Sequence, residues 1–127
     1  ADGADYNVWN LKPLEDDIIA IKNSGNCEYL VLDYPFAYCH HMINKYIDVA
    51  IFIDTPLDIA LVRRILRDMS NSTGEEIREE LDGYLKYSRI AYEQMLKDIL
   101  PSSDYVIDGS LDANKIIDEL VKIIESM

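Results

Sequence analysis

Arg63 and Arg67 stand four residues apart in the run Arg63-Arg64-Ile65-Leu66-Arg67-Asp68, and on a helix residues at that spacing share a face. Neither has a carboxylate three or four positions away, whereas Arg64 can reach Asp68 across one turn. Two unpaired guanidinium forks side by side suit a planar, multiply charged anion such as a polyphosphate, because each presents N–H donors in a rigid plane. The same spacing also serves a solvated helix face that meets acids elsewhere in the fold. A second candidate is Asp33, which opens Asp33-Tyr34-Pro35 directly after the apolar run Tyr29-Leu30-Val31-Leu32. A carboxylate at the carboxyl end of a parallel strand lies where open α/β sheets bind ligands, and it can organise Mg²⁺ and water beside phosphates. An Asp in that position can equally start a turn and cap the next helix.

The elements that must hold these side chains follow from periodicity and punctuation. Pro13 opens a helix that runs to about Asn23, with Leu14, Ile18 and Ile21 on one face and Ser24-Gly25-Asn26 closing it. Tyr29 to Asp33 reads as a short buried strand, residues 35–46 as a helix after Pro35, and Val49 to Asp54 as a second continuous apolar strand. Thr55-Pro56 starts the arginine helix, Leu57 to Met69, which breaks at a hinge, Ser70-Asn71-Ser72-Thr73-Gly74. Thr73 and Glu76 form a capping box opening a long helix whose apolar stripe is Ile77, Leu81, Leu85, Ser88, Tyr92, Met95 and Ile99, stopped by Pro101. Asp104 to Asp108 gives a third strand, and Ser110 or Asp112 caps a final amphipathic helix carrying Ile116, Ile117, Leu120, Val121 and Ile124. Three nearly all-apolar strands separated by helices predict an α/β fold, a mostly parallel sheet with helices on both faces in three layers.

Other residues with chemical potential have plainer readings. The pair His40-His41 cannot turn both rings toward one metal from an ordinary helix, so they are read as surface or core histidines. Glu75, Glu76, Glu79 and Glu80 form an acidic stripe with Arg78, expected on a solvated face. Tyr84, Tyr87 and Tyr92 recur near helical spacing and are expected to pack.

The stretch from Phe52-Ile53-Asp54-Thr55 through Arg63-Arg64-Ile65-Leu66-Arg67-Asp68 resembles the uridine kinase and phosphoribulokinase group of P-loop kinases, in which a strand ending in Asp-Thr leads to a helix of the form R-R-x-x-R-D. The resemblance extends over about residues 29–126 and implies a P-loop NTPase-like fold. It implies that residues 56–74 are a lid and hinge closing on ATP, with the arginines toward the phosphates: Arg63 and Arg67 as catalytic groups and Arg64 as a nucleotide ligand. Asp33 then assists catalysis by placing Mg²⁺ indirectly. Arg89, near a basic position of the family's aromatic helix, and Gly109, in the loop after the last strand, become nucleotide-binding candidates. Asp5 matches the position of a substrate-contacting Asp that precedes a helix, and Tyr34 joins it as a substrate-binding candidate. Asp33-Tyr34-Pro35 is also similar to the Asp-Gly-Phe-Pro of small nucleotide kinases, which keeps open a nucleotide kinase or dephospho-coenzyme A kinase relative.

The sequence contains no G-x-x-x-x-G-K-[ST], for none of Gly3, Gly25, Gly74, Gly83 and Gly109 is followed by Lys. The 127 residues, 49% apolar, suffice for one domain that buries roughly two-thirds of its unfolded surface. The expectation is therefore a single domain over 1–127, the carboxyl-terminal part of a P-loop kinase that uses ATP and Mg²⁺ to phosphorylate a nucleoside or another small alcohol, inactive as this chain alone. The rival expectation is a noncatalytic binding or assembly module on a degenerate kinase scaffold, able to pair with a second copy. A formal charge of -12 disfavours nucleic acid and anionic membranes as partners. Two cysteines, Cys27 and Cys39, without metal-ligand spacing, and the absence of a long apolar run, fit a reduced cytoplasmic setting.

Overall fold

A computed structural model describes residues 5–127. Pro13 lies in the first turn of helix α1 (Lys12–Ser24), where its missing N–H costs nothing, and Gly25 ends the helix in the left-handed conformation at φ 66°. Strand β1 (Ile51–Asp54) leads through Thr55 and Pro56 into α2 (Leu57–Asp68). Helix α3 (Gly74–Gly83) begins at the expected capping box, with Thr73 Oγ1 accepting from the Glu76 amide and the Glu76 side chain accepting from the Thr73 amide. It runs through a π-helical turn (Tyr84–Ser88) into α4 (Arg89–Asp98). Strand β2 (Tyr105–Asp108) follows, and Asp112 rather than Ser110 caps α5 (Ala113–Glu125) by accepting from the Lys115 amide at 3.0 Å.

β1 and β2 pair in parallel, Ile51 opposite Tyr105 through Asp54 opposite Asp108, so the α/β class and the parallel pairing are as expected. Among the described residues the sheet has these two strands and no third. Tyr29 to Asp33, expected as a strand, is irregular, with Tyr29, Leu30 and Val31 exposed. A strand exists only as a partner in a ladder, and apolar composition alone supplies no neighbour for it.

The expected helix over 35–46 is likewise replaced by turns and a short 3₁₀ segment, Asn44–Tyr46. Ala37 takes φ 45°, a left-handed conformation that no α-helix tolerates in its interior. The irregular segment nevertheless fills the core, burying Phe36, His40 and Ile43. The Tyr6, Tyr34 and Trp9 rings gather around Phe36 at 5.2, 5.7 and 6.2 Å. His40 Nε2 donates to the Trp9 carbonyl at 2.9 Å while Nδ1 accepts from the Met42 amide at 3.2 Å, which fixes its neutral tautomer. His40 is thus a core histidine, stacked on His41, whose Nδ1 lies 2.6 Å from Asn7 Oδ1.

Between these layers Asp104 ties the loop to the sheet. Its Oδ2 accepts from the Ala50 amide at 2.8 Å and from the Tyr38 hydroxyl. These two hydrogen bonds, Tyr38 first, hold its carboxyl below the ordinary value of 3.8.

The helix after the hinge departs from the expected stripe. Tyr84, at the start of the π turn, is buried where Leu85 was expected, Leu85 is 66% exposed, and Leu81, Tyr87 and Tyr92, expected to pack, are exposed too.

Two outcomes follow from this packing. Ile43 is fully buried. Ile43→Ala is expected to cost about 2–5 kcal/mol and to lower the midpoint of thermal unfolding by roughly 10 °C or more; a shift under a few degrees would show that the loop is not part of the core. Because the folded Asp104 carboxyl titrates below 3.8, its contribution is complete above that pH and is lost as pH falls through the depressed folded value. Urea midpoints measured from pH 6 down to pH 2 should fall less steeply in Asp104→Asn, and identical profiles would remove Asp104 from the acid response.

Candidate functional site

Helix α2 is amphipathic: Leu61, Ile65 and Met69 turn inward, half-buried, and its arginines lie along the border of that face. Beside it opens a cleft of about 350 Å³ into which Arg63, Arg64 and Arg67 all face. Thr55 forms one wall, and Tyr84 and Tyr92 from the far helix form another, with their rings 6.3 Å apart. An apolar hollow of about 240 Å³ shares Thr55 and Tyr92 and continues over Phe52 and Met95. Arg63, Arg64 and Arg67 give the cleft a cationic lining, and the adjoining hollow is lined mostly by aromatic and apolar side chains.

The arginines have different partners. Arg64 Nη1 donates to Glu80 Oε1 at 2.6 Å, while its Nη2 is buried without a hydrogen-bond partner. The pairing with Asp68 expected from spacing does not form. Arg67 takes that carboxylate instead, Nε to Oδ1 at 2.7 Å and Nη2 to Oδ2 at 3.1 Å, so Arg67 is not the unpaired guanidinium that sequence spacing suggested. The Arg67 guanidinium is the main reason the Asp68 carboxyl lies below the usual carboxylate range. Glu80, expected on a solvated stripe, reaches Arg64 from α3, a contact between separate helices that spacing along one helix does not reveal.

Arg63 binds main-chain carbonyls. Nη1 donates to Gly109 O at 2.5 Å, and Nη2 donates to Ser110 O at 3.1 Å and more weakly to Leu111 O at 3.5 Å. Gly109 itself is buried against the start of α2: a Cβ there would lie 1.8 Å from Thr55 Oγ1. Close backbone packing, rather than access for a ligand, explains this glycine.

The remaining candidates lie apart from the cleft. Asp33 is exposed on the irregular segment. Tyr34 turns its ring edge to Phe36, and its hydroxyl is buried without a partner, its pKa pushed up to about 12, chiefly by burial. Asp5 caps the short 3₁₀ turn Tyr6–Val8 by accepting from the Asn7 amide at 3.1 Å. Arg89 pairs with Glu93 one turn along α4, Nη2 to Oε1 at 3.0 Å. Among the described residues no group of three or more His, Cys, Asp or Glu side chains could hold a metal ion. No described helix is long and apolar enough to cross a membrane. Three residues were not read from the sequence as site residues: Thr55 and Tyr84, which line the cleft, the latter expected only to pack, and Glu80, which reaches Arg64. Only the Asp-Thr strand ending hinted at Thr55, and the other two depend on how α3 and the π turn pack.

Parallel strands joined through helices, with Arg63, Arg64 and Arg67 lining one cleft, define an α/β protein with a cationic cleft. More narrowly, the chain belongs to the phosphoribulokinase / uridine kinase family, whose sequence model matches residues 25–116. It is 30% identical over 95 residues to a uridine kinase of Schizosaccharomyces pombe, covering 75% of this chain and 21% of that protein. It is 38% identical over 82 residues to a uridine kinase of Psychromonas ingrahamii, covering 63% and 37%. It is 28% identical over 97 residues to the mouse uridine-cytidine kinase-like 1, covering 76% and 18%. The chain thus spans about a fifth to little more than a third of the length of these relatives. No solved structure matches it.

The geometry makes Asp68 a competitor for any anion that approaches Arg67. Asp68→Asn is expected to tighten binding of inorganic tripolyphosphate severalfold by freeing that fork, measured by calorimetry at low salt. Unchanged affinity would mean that Arg67 does not meet the anion.

Proposed function

We propose that this chain supplies the arginine-bearing part of a small-molecule kinase, which transfers a phosphoryl group from ATP, with Mg²⁺, to a nucleoside or a similar small hydroxyl acceptor. The observation that carries this reading is the cleft lined by Arg63, Arg64 and Arg67, in which Arg64 keeps a buried Nη2 without a hydrogen-bond partner. A buried N–H left unpaired costs on the order of 1–3 kcal/mol. A phosphate oxygen placed beside it would recover that cost, and the anion supplies what the protein lacks. In this reading Arg64 and Arg67 are the phosphate-facing donors of a lid spanning 56–74. Catalysis by such groups is electrostatic: fixed guanidinium donors stabilise charge that spreads over the phosphoryl oxygens as the bond to the leaving oxygen loosens. Asp54 and Asp108 end the paired strands beside the cleft, so the carboxyl ends of both strands face the side where α/β sheets take ligands.

The acceptor proposed is a pyrimidine nucleoside, since the relatives are named uridine or uridine-cytidine kinases. Mg²⁺ would be bound chiefly through the nucleotide's own phosphates, as that ion commonly is, with Asp33 contributing at most through water. The reading keeps Tyr34 and Asp5 as acceptor-side candidates and places Arg89, engaged with Glu93, at the margin.

The test is Arg64→Ala in the intact protein, assayed for uridine-dependent ATP turnover. Loss of a preorganised donor should lower kcat by about 10²–10³-fold, with Arg64→Lys recovering only a fraction because a point charge cannot replace the fork. Near-normal turnover of Arg64→Ala would remove the guanidinium from the chemistry.

A further inference from the structure

The arginine best placed by sequence spacing to meet a phosphate is the one the structure uses for something else. We infer that Arg63 is a positioning residue, a latch that fixes α2 to the loop between β2 and α5 and thereby holds Arg64 and Arg67 at the cleft, and that it does not itself ligate the anion. This inference rests on the anion reading of the cleft but has its own observations.

The first is the acceptor set. Gly109, Ser110 and Leu111 present consecutive carbonyls to the two terminal nitrogens of Arg63, at 2.5, 3.1 and 3.5 Å. A guanidinium has five N–H donors in one plane, and the two nitrogens at the end of the fork are turned into the loop. Three of the five donors are spent on the loop, which leaves Nε–H and one hydrogen of Nη1 for a ligand. The second observation is the fit on the other side of the same loop. Gly109 N–H donates to Asp54 O at 2.8 Å, continuing the strand pairing, and its Cα face lies against Thr55 so closely that no side chain could be added. The loop is held by the strand end through its amide and by α2 through its carbonyls. Without the second hold, α2 loses its hydrogen bonds to the loop and keeps its apolar packing and the Arg64–Glu80 pair. The third is contrast: Arg64 has an unfilled buried donor and Arg67 faces a carboxylate in solvent, so an entering anion has something to offer each of them but little to offer Arg63.

The test compares Arg63→Ala, Arg63→Lys and Arg64→Ala in the intact protein by two readouts, amide hydrogen exchange without ligand and the salt dependence of tripolyphosphate binding. A latch predicts that Arg63→Ala accelerates exchange at residues 109–112 and in the first turns of α2 by roughly tenfold or more, as loss of charge-assisted hydrogen bonds should. It also predicts weaker tripolyphosphate binding with an unaltered salt dependence, because the number of protein–anion ion pairs is unchanged. Arg64→Ala should do the reverse: unchanged exchange at 109–112 and a shallower salt dependence. If Arg63→Ala does not fold, Arg63→Lys carries the comparison, since it keeps the charge but cannot span the loop carbonyls, and faster exchange is again expected. Unchanged exchange in the Arg63 variants overturns the latch. A shallower salt dependence in Arg63→Ala overturns the claim that Arg63 does not touch the anion. If the unsubstituted protein does not bind tripolyphosphate, the anion reading of the cleft fails and the claim about Arg64 and Arg67 fails with it, whereas the exchange measurement still decides the latch by itself.

Discussion

Parallel pairing of Ile51–Asp54 with Tyr105–Asp108 is the contact on which the placement of every charged group near the cleft depends. The two strands are far apart in sequence, and everything between them, from the arginine helix to the π turn, is a crossover returned to the sheet by that pairing. Each strand is only four residues long, so the ladder alone is weak. Its ends are reinforced at both sides: Asp104 grips the Ala50 amide before the first pair, and Gly109 donates to Asp54 after the last. The cationic cleft is built on this second reinforcement, because the glycine that extends the ladder is also the one whose carbonyl Arg63 holds.

Electrostatics in the cleft is a local reversal of the global field. A chain of formal charge -12 repels anions at long range, so an anionic ligand is captured only within about a Debye length of the arginines, roughly 8–10 Å at ordinary ionic strength. Glu80 and Asp68 take one edge of Arg64 and Arg67 respectively. Such partners keep the forks oriented while lowering the net charge of the cleft.

What the sequence made legible was what local chemistry decides. The Thr73–Glu76 capping box, the Asp112 cap, the Gly25 stop and the run of α2 depend on residues within a turn of one another and form as expected, and the apolar runs ending in Asp54 and Asp108 do become strands. The failures are tertiary. Tyr29-Leu30-Val31-Leu32 has the composition of a strand, but a ladder partner cannot be read from composition. The segment after Pro35 has enough helical pattern to mislead, and the left-handed turn at Ala37 redirects it to bury Phe36, His40 and Ile43 from irregular backbone. For the arginines, spacing put Arg63 and Arg67 on one face and gave Arg64 to Asp68, but it could not say which partner each would take, since Glu80 and the loop carbonyls arrive from other elements.

The π-helical turn at Tyr84–Ser88 has a geometric meaning for the far wall of the cleft. One residue of an α-helix subtends about 100°, and the wide turn absorbs one extra residue locally, so the helix beyond it keeps the phase of the helix before it. Tyr84 and Tyr92, eight positions apart, would stand about 80° from one another on an unbroken α-helix; with the extra residue taken up between them they line the same cavity. Closing the wide turn at constant length would rotate Tyr92 and Met95 away from Tyr84. Length at this point is therefore a determinant of shape: the wall is tuned by counting residues, independently of which side chains occupy them.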